Sequence, residues 1–287
     1  MATKKEVATT NKTEVAAAGG FSYGDDAGKG FENKTGADLS IPFLNLLQSN
    51  SPEVQKSKDG KIRIGMMKNT VTGEIIDGEE GLYLLPVHDD SAFVEWVPRH
   101  RGGGYVGVHA PDSEEVLEAI KRNGGRIPKK GEDGKKIPLS HGSNDLVETY
   151  YLYGLVLDSD LETTRGFAVI PFTSTKIKVY RDFITAMMMI KGQPPMFAFR
   201  IKITSDIQEN DSGTFANYVI TPANGEGNWT SCLIDPSSAL YAEAKDFRKM
   251  VTSGMARADF SQQQNEGAGT GGGSPNGGGG SDDETPF

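Results

Sequence analysis

The chain has 287 residues and a formal net charge of −9, and its 36% hydrophobic content is below the roughly 45–50% usual in globular chains. The single cysteine excludes an intramolecular disulfide and a cysteine-based zinc cluster, and fits a reducing compartment. No run of about 18 apolar residues and no apolar signal segment occurs, so we expect a cytoplasmic protein without membrane contact.

The composition divides the chain into four segments. Residues 1–37 show no sustained period and are predicted to form a flexible N-terminal arm. Residues 38–260 hold most of the apolar residues and are predicted to be the folded domain. Residues 261–281 include nine glycines among 21 positions, which predicts a flexible linker. Residues 282–287 then form a short acidic tip.

Short apolar and β-branched runs predict a mainly β domain. The predicted strands cover residues 81–88, 92–97, 105–109, 148–158, 166–171, 174–180, 197–204 and 215–221. The last two are expected to form a hairpin around residues 210–213, where Asn, Asp, Ser and Gly follow one another.

Three helices are predicted, two between these strands and one after the last of them. The first is capped by Asp112 and ends at Asn123, and the second covers residues 182–191. The third opens at Asp235, with Pro236 at its first helical position. Its apolar stripe, which should dock on the domain, consists of Leu240, Ala244, Phe247 and Val251.

Many short strands with one helix placed before the final pair suggest a small closed barrel like the oligonucleotide/oligosaccharide-binding fold, or OB-fold. Residues 110–145 would be an insertion into that barrel, and the last helix an addition to it. A β-sandwich is the alternative, and the sequence pattern does not separate the two.

The charge of the predicted domain is uneven. It carries 25 Lys and Arg against 30 Asp and Glu, which disfavours a nucleic-acid partner. Residues 165–204, however, hold seven basic residues and one acid. Because salt screens charges beyond about 8–10 Å, such a local stripe can still contact phosphates on an acidic protein.

Basic residues alternate with aromatic ones in three places, and a single DNA strand requires both, cations for phosphates and flat rings for unstacked bases. One place is the Gly-rich loop at residues 98–104; the others are the predicted strands 174–180 and 197–204, where basic residues share one face. The candidate DNA-binding residues are Trp96, Arg99, Arg101, Tyr105, Lys176, Lys178, Tyr180, Arg181, Arg200 and Lys202. Two plainer interpretations stay open: charged positions that alternate with core positions are typical of any solvent-facing strand, and Trp96 also fits a core position.

The last six residues have the composition of a docking motif. Asp282, Asp283 and Glu284 would speed encounter with a basic partner surface, and the Phe287 ring and α-carboxylate would bind an apolar pocket with a nearby cation. Pro286 limits backbone freedom and so lowers the entropic cost of docking. Acidic ends that only aid solubility are the alternative interpretation.

This Asp-Asp-Glu-Thr-Pro-Phe segment, together with the Gly-rich segment before it, resembles the C-terminus of bacterial single-stranded DNA-binding proteins and of bacteriophage proteins of the same function. Thr285 stands where the bacterial tip usually has an apolar residue. The chain length and the insertion look more like a phage version. The resemblance implies non-catalytic strand protection in replication, recombination or repair. It also implies that the tip recruits a DNA polymerase or repair proteins and competes with DNA for one cleft.

Sequence motifs of enzymes are not found. The chain lacks a GxxxxGK[ST] phosphate loop and a GxSxG nucleophile motif. His88, Asp89 and Asp90 could hold a metal, but the other histidines show no ligand spacing with them. We therefore predict no catalytic residue, metal or cofactor. A metal-dependent nuclease and a protein-binding adaptor without DNA affinity remain the alternatives, and a homo-oligomer is left open.

Overall fold

The computed structural model describes residues 29–30, 40–132, 134, 136–210, 213–225 and 227–263. Most of the predicted arm and linker, and the whole tip at 282–287, lie outside the described residues. The strands of the described part are β1 (Ser40–Ile41), β2 (Leu44–Leu46), β3 (Met67–Asn69), β4 (Ile75–Ile76), β5 (Leu82–Trp96), β6 (Tyr105–His109), β7 (Leu139–His141), β8 (Asn144–Leu157), β9 (Thr164–Thr173), β10 (Ile201–Asn210), β11 (Gly213–Pro222) and β12 (Arg257–Ala258). Its α-helices are α1 (Pro52–Lys56), α2 (Glu114–Asn123), α3 (Lys176–Met188) and α4 (Ala239–Thr252). The mainly β class is confirmed.

A seven-stranded antiparallel sheet forms the centre of the fold. Its strands run in the order β11-β10-β5-β8-β7, with β6 also paired to β5 and β9 also paired to β8. Strands β2, β3 and β4 form a second sheet, and β1 pairs with β12 in parallel. No pairing within the described residues joins β11 to β9 or β7, so the sheets are open and an OB-like barrel is not confirmed.

Both faces of the central sheet are buried, because alternate residues of its strands pack against different helices. On β8, Tyr151 and Tyr153 belong to the apolar cluster that contains Leu240 and Phe247 of α4. Leu152, between them, belongs to the cluster that contains Phe183 of α3. The predicted stripe of α4 is confirmed, since its first three members are buried and the fourth packs against the same cluster.

A third, smaller core lies under α2. Phe93 of β5 and Leu139 of β7 pack there with Leu146 of β8. The helix contributes Val116 and Ala119, both almost inaccessible to solvent. Residues 110–145, predicted to be an insertion, are therefore anchored on the same face of β5 that Phe93 occupies.

The strand predicted for residues 174–180 is wrong, because these residues form the first turns of α3. The sequence Lys-Ile-Lys-Val-Tyr alternates between polar and apolar residues as a strand does. The residues that follow it continue a helical spacing, and the segment folds as a helix. Lys176, Tyr180, Phe183 and Met187 follow one another at intervals of four, three and four residues, and all four are buried. One helical face thus docks on the sheet, and the predicted helix at 182–191 is the second half of this longer one.

The separate strands predicted at residues 81–88 and 92–97 are one continuous strand, β5. The polar residues between the two predicted strands do not interrupt β5. Its pairing with β8 continues past a register shift between Pro86 and His88. The strand predicted at 197–204 begins later, at Ile201, because Met196–Ala198 form a short 3-10 turn.

Two helix starts also differ from their predicted positions. Ser113, not Asp112, precedes α2. The Asp235 side chain accepts a hydrogen bond from the Ser237 backbone N–H in a turn before α4. Ser238 caps that helix instead, accepting from the Tyr241 N–H. The hairpin between β10 and β11 is confirmed. No helix among the described residues is long and apolar enough to cross a membrane.

Candidate nucleic-acid interface

The loop between β5 and β6 presents three basic side chains at the surface. Arg99–Arg101 form a 3-10 turn, and all three residues are exposed. Gly102, Gly103 and Gly104 have φ angles of 105°, 69° and 129°, in a region that side chains with a Cβ rarely adopt. The glycines therefore allow the chain to reverse within a few residues.

Two hydrogen bonds fix the ends of this loop. The Val97 N–H donates to the Gly104 carbonyl at 2.9 Å and so closes it. The Arg101 Nη1 donates to the Ser143 carbonyl at 3.0 Å, which connects the loop to the turn between β7 and β8. The basic loop is thus held against the sheet at two points.

An aromatic pair lies at the base of the loop. Trp96 and Tyr105 are cross-strand partners whose ring centroids are 5.8 Å apart in an edge-on arrangement. Trp96 is only 5% exposed, so in this conformation its faces are not open to a base. Tyr105 is half-buried. Burial, with a smaller contribution from the Asp259 carboxylate, raises the pKa of Tyr105. Of the two rings, that of Tyr105 is the less buried.

The residues predicted on the strand at 174–180 lie elsewhere, on α3. Lys176 and Tyr180 are buried, and Tyr180 donates a hydrogen bond to the Asp89 carboxylate. Exposed Lys178 pairs with Asp182 at 2.5 Å. The prediction of one solvent-facing stripe formed by Lys176, Lys178 and Tyr180 is therefore wrong. It fails because a helix, unlike a strand, turns residues two apart to different sides.

Arg181 belongs to a cluster on the α3 face of the sheet. Its guanidinium lies 5.5 Å from the centroid of the Tyr150 ring, and its Nη2 donates to the Tyr150 hydroxyl at 3.2 Å. Tyr150 in turn stacks on Tyr180 with centroids 4.7 Å apart. Glu148 accepts from the Tyr150 hydroxyl and pairs with Arg126 at 2.8 Å. These internal contacts occupy the cations that a phosphate would need.

The residues predicted on the strand at 197–204 lie near the opposite end of β5 from the basic loop. Phe199, Ile201 and Ile203 are buried, as the alternation predicts. Arg200 is half-buried and pairs with Glu162 at 2.5 Å. The Lys202 ammonium lies 5.6 Å from the centroid of the Tyr83 ring, and Tyr83 is near the start of β5.

The ten predicted residues therefore do not form one groove. Trp96 and Tyr105 pack with the cluster under α4, whereas Tyr180 packs with the cluster under α3 on the other face of the sheet. Arg200 and Lys202 lie at a third place. Arg99 and Arg101, in contrast, are exposed basic side chains in the loop that precedes half-buried Tyr105.

A polar cluster that the sequence did not reveal lies on the α2 face of β5. Glu95 is buried and contacts His109, His141 and Asn144, which come from three other strands. Burial disfavours the charged carboxylate, but the hydrogen bonds from Asn144, His109 and His141 together outweigh it and lower the pKa of Glu95. The one sequence feature that could have indicated this cluster is a single Glu between Phe93 and Trp96 in an otherwise apolar strand. The histidines are 32 residues apart, so the sequence shows no ligand spacing.

The end of the described chain packs against Tyr151 and β6. Phe260 packs edge-on against Tyr151, with ring centroids 5.1 Å apart, and the Tyr151 hydroxyl donates to Gln263 Oε1 at 2.8 Å. Tyr151 belongs to the same cluster as Trp96, and the Phe260–Gln262 turn contacts β6. Gln263, the last described residue, therefore lies on the same face of the sheet as Tyr105.

A family model described as "Pam3 phage gp34-like protein" matches residues 10–257. Neither the curated proteins nor the solved structures include a match to this chain.

Proposed function

The chain belongs to the Pam3 phage gp34-like protein family, and on that premise we propose that it binds single-stranded DNA without cleaving it. It would serve replication, recombination or repair of phage DNA in the cytoplasm of an infected bacterium. The acidic residues 282–287 would bind replication or repair proteins and compete with DNA. This function comes from the sequence resemblance of the C-terminus, and the exposed basic loop at Arg99–Arg101 supports it.

The basic loop is the observation that carries the proposal. Arg99, His100 and Arg101 are exposed in a turn followed by three glycines, so phosphates can approach both side chains and backbone. Tyr105, at the base of the loop, offers a ring on which a base can stack.

The position of Gln263 supports competition between the acidic tip and DNA. A Gly-rich segment of the composition and length of residues 261–281 spans roughly 25 Å on average. Gln263 lies on the face that carries Tyr105, so a linker of this average span would allow the acidic end to return to the basic loop. A negative segment tethered this close would occupy the cations that phosphates need.

Fluorescence anisotropy with labelled oligo-dT tests the proposal. Arg99→Ala combined with Arg101→Ala should weaken binding at least about tenfold in low salt, since each charged hydrogen bond contributes about 1.5–3 kcal/mol. The slope of log affinity against log salt should become shallower by about 0.7 for each phosphate that the variant no longer neutralises. Lys121→Ala combined with Arg122→Ala, two exposed positions on α2, removes the same charge and should change the affinity less.

The alternatives are outcomes of the same experiment. An equal loss of oligo-dT affinity in the two double variants would show that the loop is not part of the DNA interface and that binding depends only on overall charge. Loss of intact oligonucleotide on addition of a divalent metal would identify a nuclease. Absence of binding by the wild-type chain in low salt would contradict DNA binding altogether and favour a protein adaptor.

A further inference from the structure

The polar cluster around Glu95 joins four strands and a helix. Glu95 is on β5, His109 on β6, His141 on β7 and Asn144 on β8. The register explains the convergence: His141 pairs directly with Asn144, and His109 pairs with Phe93, two residues from Glu95 on the same face. The cluster lies at the edge of the small apolar core under α2.

The distances between donor atoms are those of a small cation site. His109 Nε2 lies 2.7 Å and His141 Nδ1 lies 3.3 Å from the same oxygen, Glu95 Oε2. One ligand atom from each of the three residues lies within 4.8 Å of the others. Ligands of a tetrahedral zinc ion, each at about 2.0–2.1 Å from the metal, are about 3.3 Å apart. Small side-chain adjustments therefore suffice to place an ion between them.

The surroundings of these side chains are those of metal ligands. The Asn144 Nδ2 donates to Glu95 Oε1 at 2.7 Å, which orients the carboxylate and leaves Oε2 for the imidazoles. Glu115, in the first turn of α2, places an oxygen 3.7 Å from the other ring nitrogen of His109. A carboxylate behind a histidine fixes its tautomer and ring orientation in many metal sites.

Access from solvent is graded across the cluster. The Glu95 side chain is 6% exposed, that of His109 17% and that of His141 45%. An ion can therefore enter beside His141 while Glu95 remains shielded, and water can complete its coordination. Two imidazole nitrogens with one carboxylate oxygen suit Zn²⁺ and similar divalent transition metals better than Mg²⁺ or Ca²⁺, which prefer all-oxygen sites.

We propose that Glu95, His109 and His141 bind one divalent transition-metal ion of the Zn²⁺ class, with water as the fourth ligand. The ion would join β6 and β7 to β5 and so hold residues 98–143 on the sheet. Arg101 belongs to this region through its bond to Ser143, so metal binding should also stiffen the basic loop. The site itself does not depend on DNA binding.

Metal titration of the full-length, chelator-treated chain tests this site. Calorimetry with Zn²⁺ should give one tight site per chain, and Co²⁺ should develop the strong visible absorption of a four-coordinate ion. His141→Ala, at the exposed edge where the fold should tolerate it, should abolish the Co²⁺ spectrum and the tight Zn²⁺ site. Glu115→Gln should weaken Zn²⁺ about 10–100-fold, as expected of an outer partner.

His88→Ala and His100→Ala are the matched controls, since both remove a histidine outside the cluster; each should leave the stoichiometry and spectrum unchanged. Absence of a one-to-one site in the wild-type chain would overturn the proposal, as would His141→Ala binding metal as wild type does. Circular dichroism and thermal melting of each variant establish that it is folded. No oligonucleotide enters these readouts, so their failure leaves DNA binding untouched, and the reverse also holds.

Discussion

Trp96 and Tyr105 face each other across the β5–β6 ladder but differ in their access to solvent. Trp96 packs in the core under α4, while Tyr105 is half-buried beside the basic loop. The sequence identifies both as stacking candidates and also admits a core position for Trp96. The sequence does not decide whether Trp96 is a stacking residue or a core residue. Alternation assigns a residue to one face of a strand, but it does not show whether a helix covers that face.

The two rings should therefore respond differently to truncation. Trp96→Ala should lower the free energy of unfolding by about 3–5 kcal/mol, as large-to-small core changes do. Tyr105→Ala should lower oligo-dT affinity by about 1–3 kcal/mol, the contribution of a stacked base, with a smaller loss of stability. Urea denaturation and anisotropy measure the two effects. A reduced affinity for Trp96→Ala at full stability would reverse the assignment.

Tyr153 illustrates the effect of burial on a single titrating group. Burial, with a smaller contribution from the Asp90 carboxylate, raises the pKa of Tyr153 to about 12. The pKa of Tyr153 in the folded protein is above the unfolded value of about 10. The contribution of neutral Tyr153 to the free energy of unfolding is therefore complete below pH 10 and is lost as the pH rises to about 12.

Comparison of Tyr153→Phe with wild type isolates this contribution. The wild-type free energy of unfolding should fall more steeply with pH than that of the variant, by about 1.4 kcal/mol per unit between about pH 10 and 12. Urea denaturation at a series of alkaline pH values measures both slopes. Parallel curves would show that Tyr153 titrates as an exposed tyrosine does.

At the scale of elements, α3 shows what a sequence pattern can and cannot establish. Long apolar or aromatic runs predict strands such as β8 and β9 within a few residues, and helical spacing predicts the apolar stripe of α4. Lys176–Tyr180 satisfy the strand period and the helix period equally. The sheet decides between them, because Phe183 and Met187 extend the helical face over its apolar surface.

Docking of α3 should depend on the hydrogen bond from Tyr180 to Asp89. Tyr180→Phe should lower the free energy of unfolding by about 1.5–3 kcal/mol, since the bond is made to a charged group. Tyr218→Phe, which loses a bond to the neutral Leu44 carbonyl, should cost less, about 0.5–1.5 kcal/mol. Oligo-dT affinity should remain unchanged in both variants, because these side chains pack in the cluster under α3, whereas Tyr105 packs with the cluster under α4 on the other face of the sheet.

Chemical denaturation with circular dichroism distinguishes the two variants, and anisotropy records the DNA affinity. Weaker DNA binding by folded Tyr180→Phe would extend the interface to α3. That result would restore the wider interface predicted from the sequence, which included Lys178 and Arg181.

The cluster of Glu95, His109 and His141 forms because strand pairing brings together three residues that are distant in the sequence. Short sequence motifs do not encode the register of that pairing. Each residue lies on a separate strand, and their proximity follows from the pairing of β5 with β6 and of β7 with β8. The sequence points instead to His88, with Asp89 and Asp90, as the possible metal ligands. In the fold Asp89 accepts from Tyr180, and the His88 ring packs near Tyr153.

For the whole molecule, a net charge of −9 would repel a polyanion if charge were spread evenly. Screening over about 10 Å at 0.1 M salt makes the local surface decisive instead, and the loop at Arg99–Arg101 is locally basic. Under the proposed function, the three acids of residues 282–287 compete with DNA for this loop, so they should reduce the affinity for DNA in a salt-dependent manner.

The proposed binding of single-stranded DNA is tested by the oligo-dT affinity of the full-length chain and of a variant lacking residues 282–287, each measured from dilute to high salt. Both chains should bind in dilute buffer and weaken as salt rises. The truncated chain should bind more tightly, by a margin that shrinks with salt, because a competing polyanion is gone. If neither chain binds oligo-dT in dilute buffer, single-stranded DNA is not the ligand of this protein.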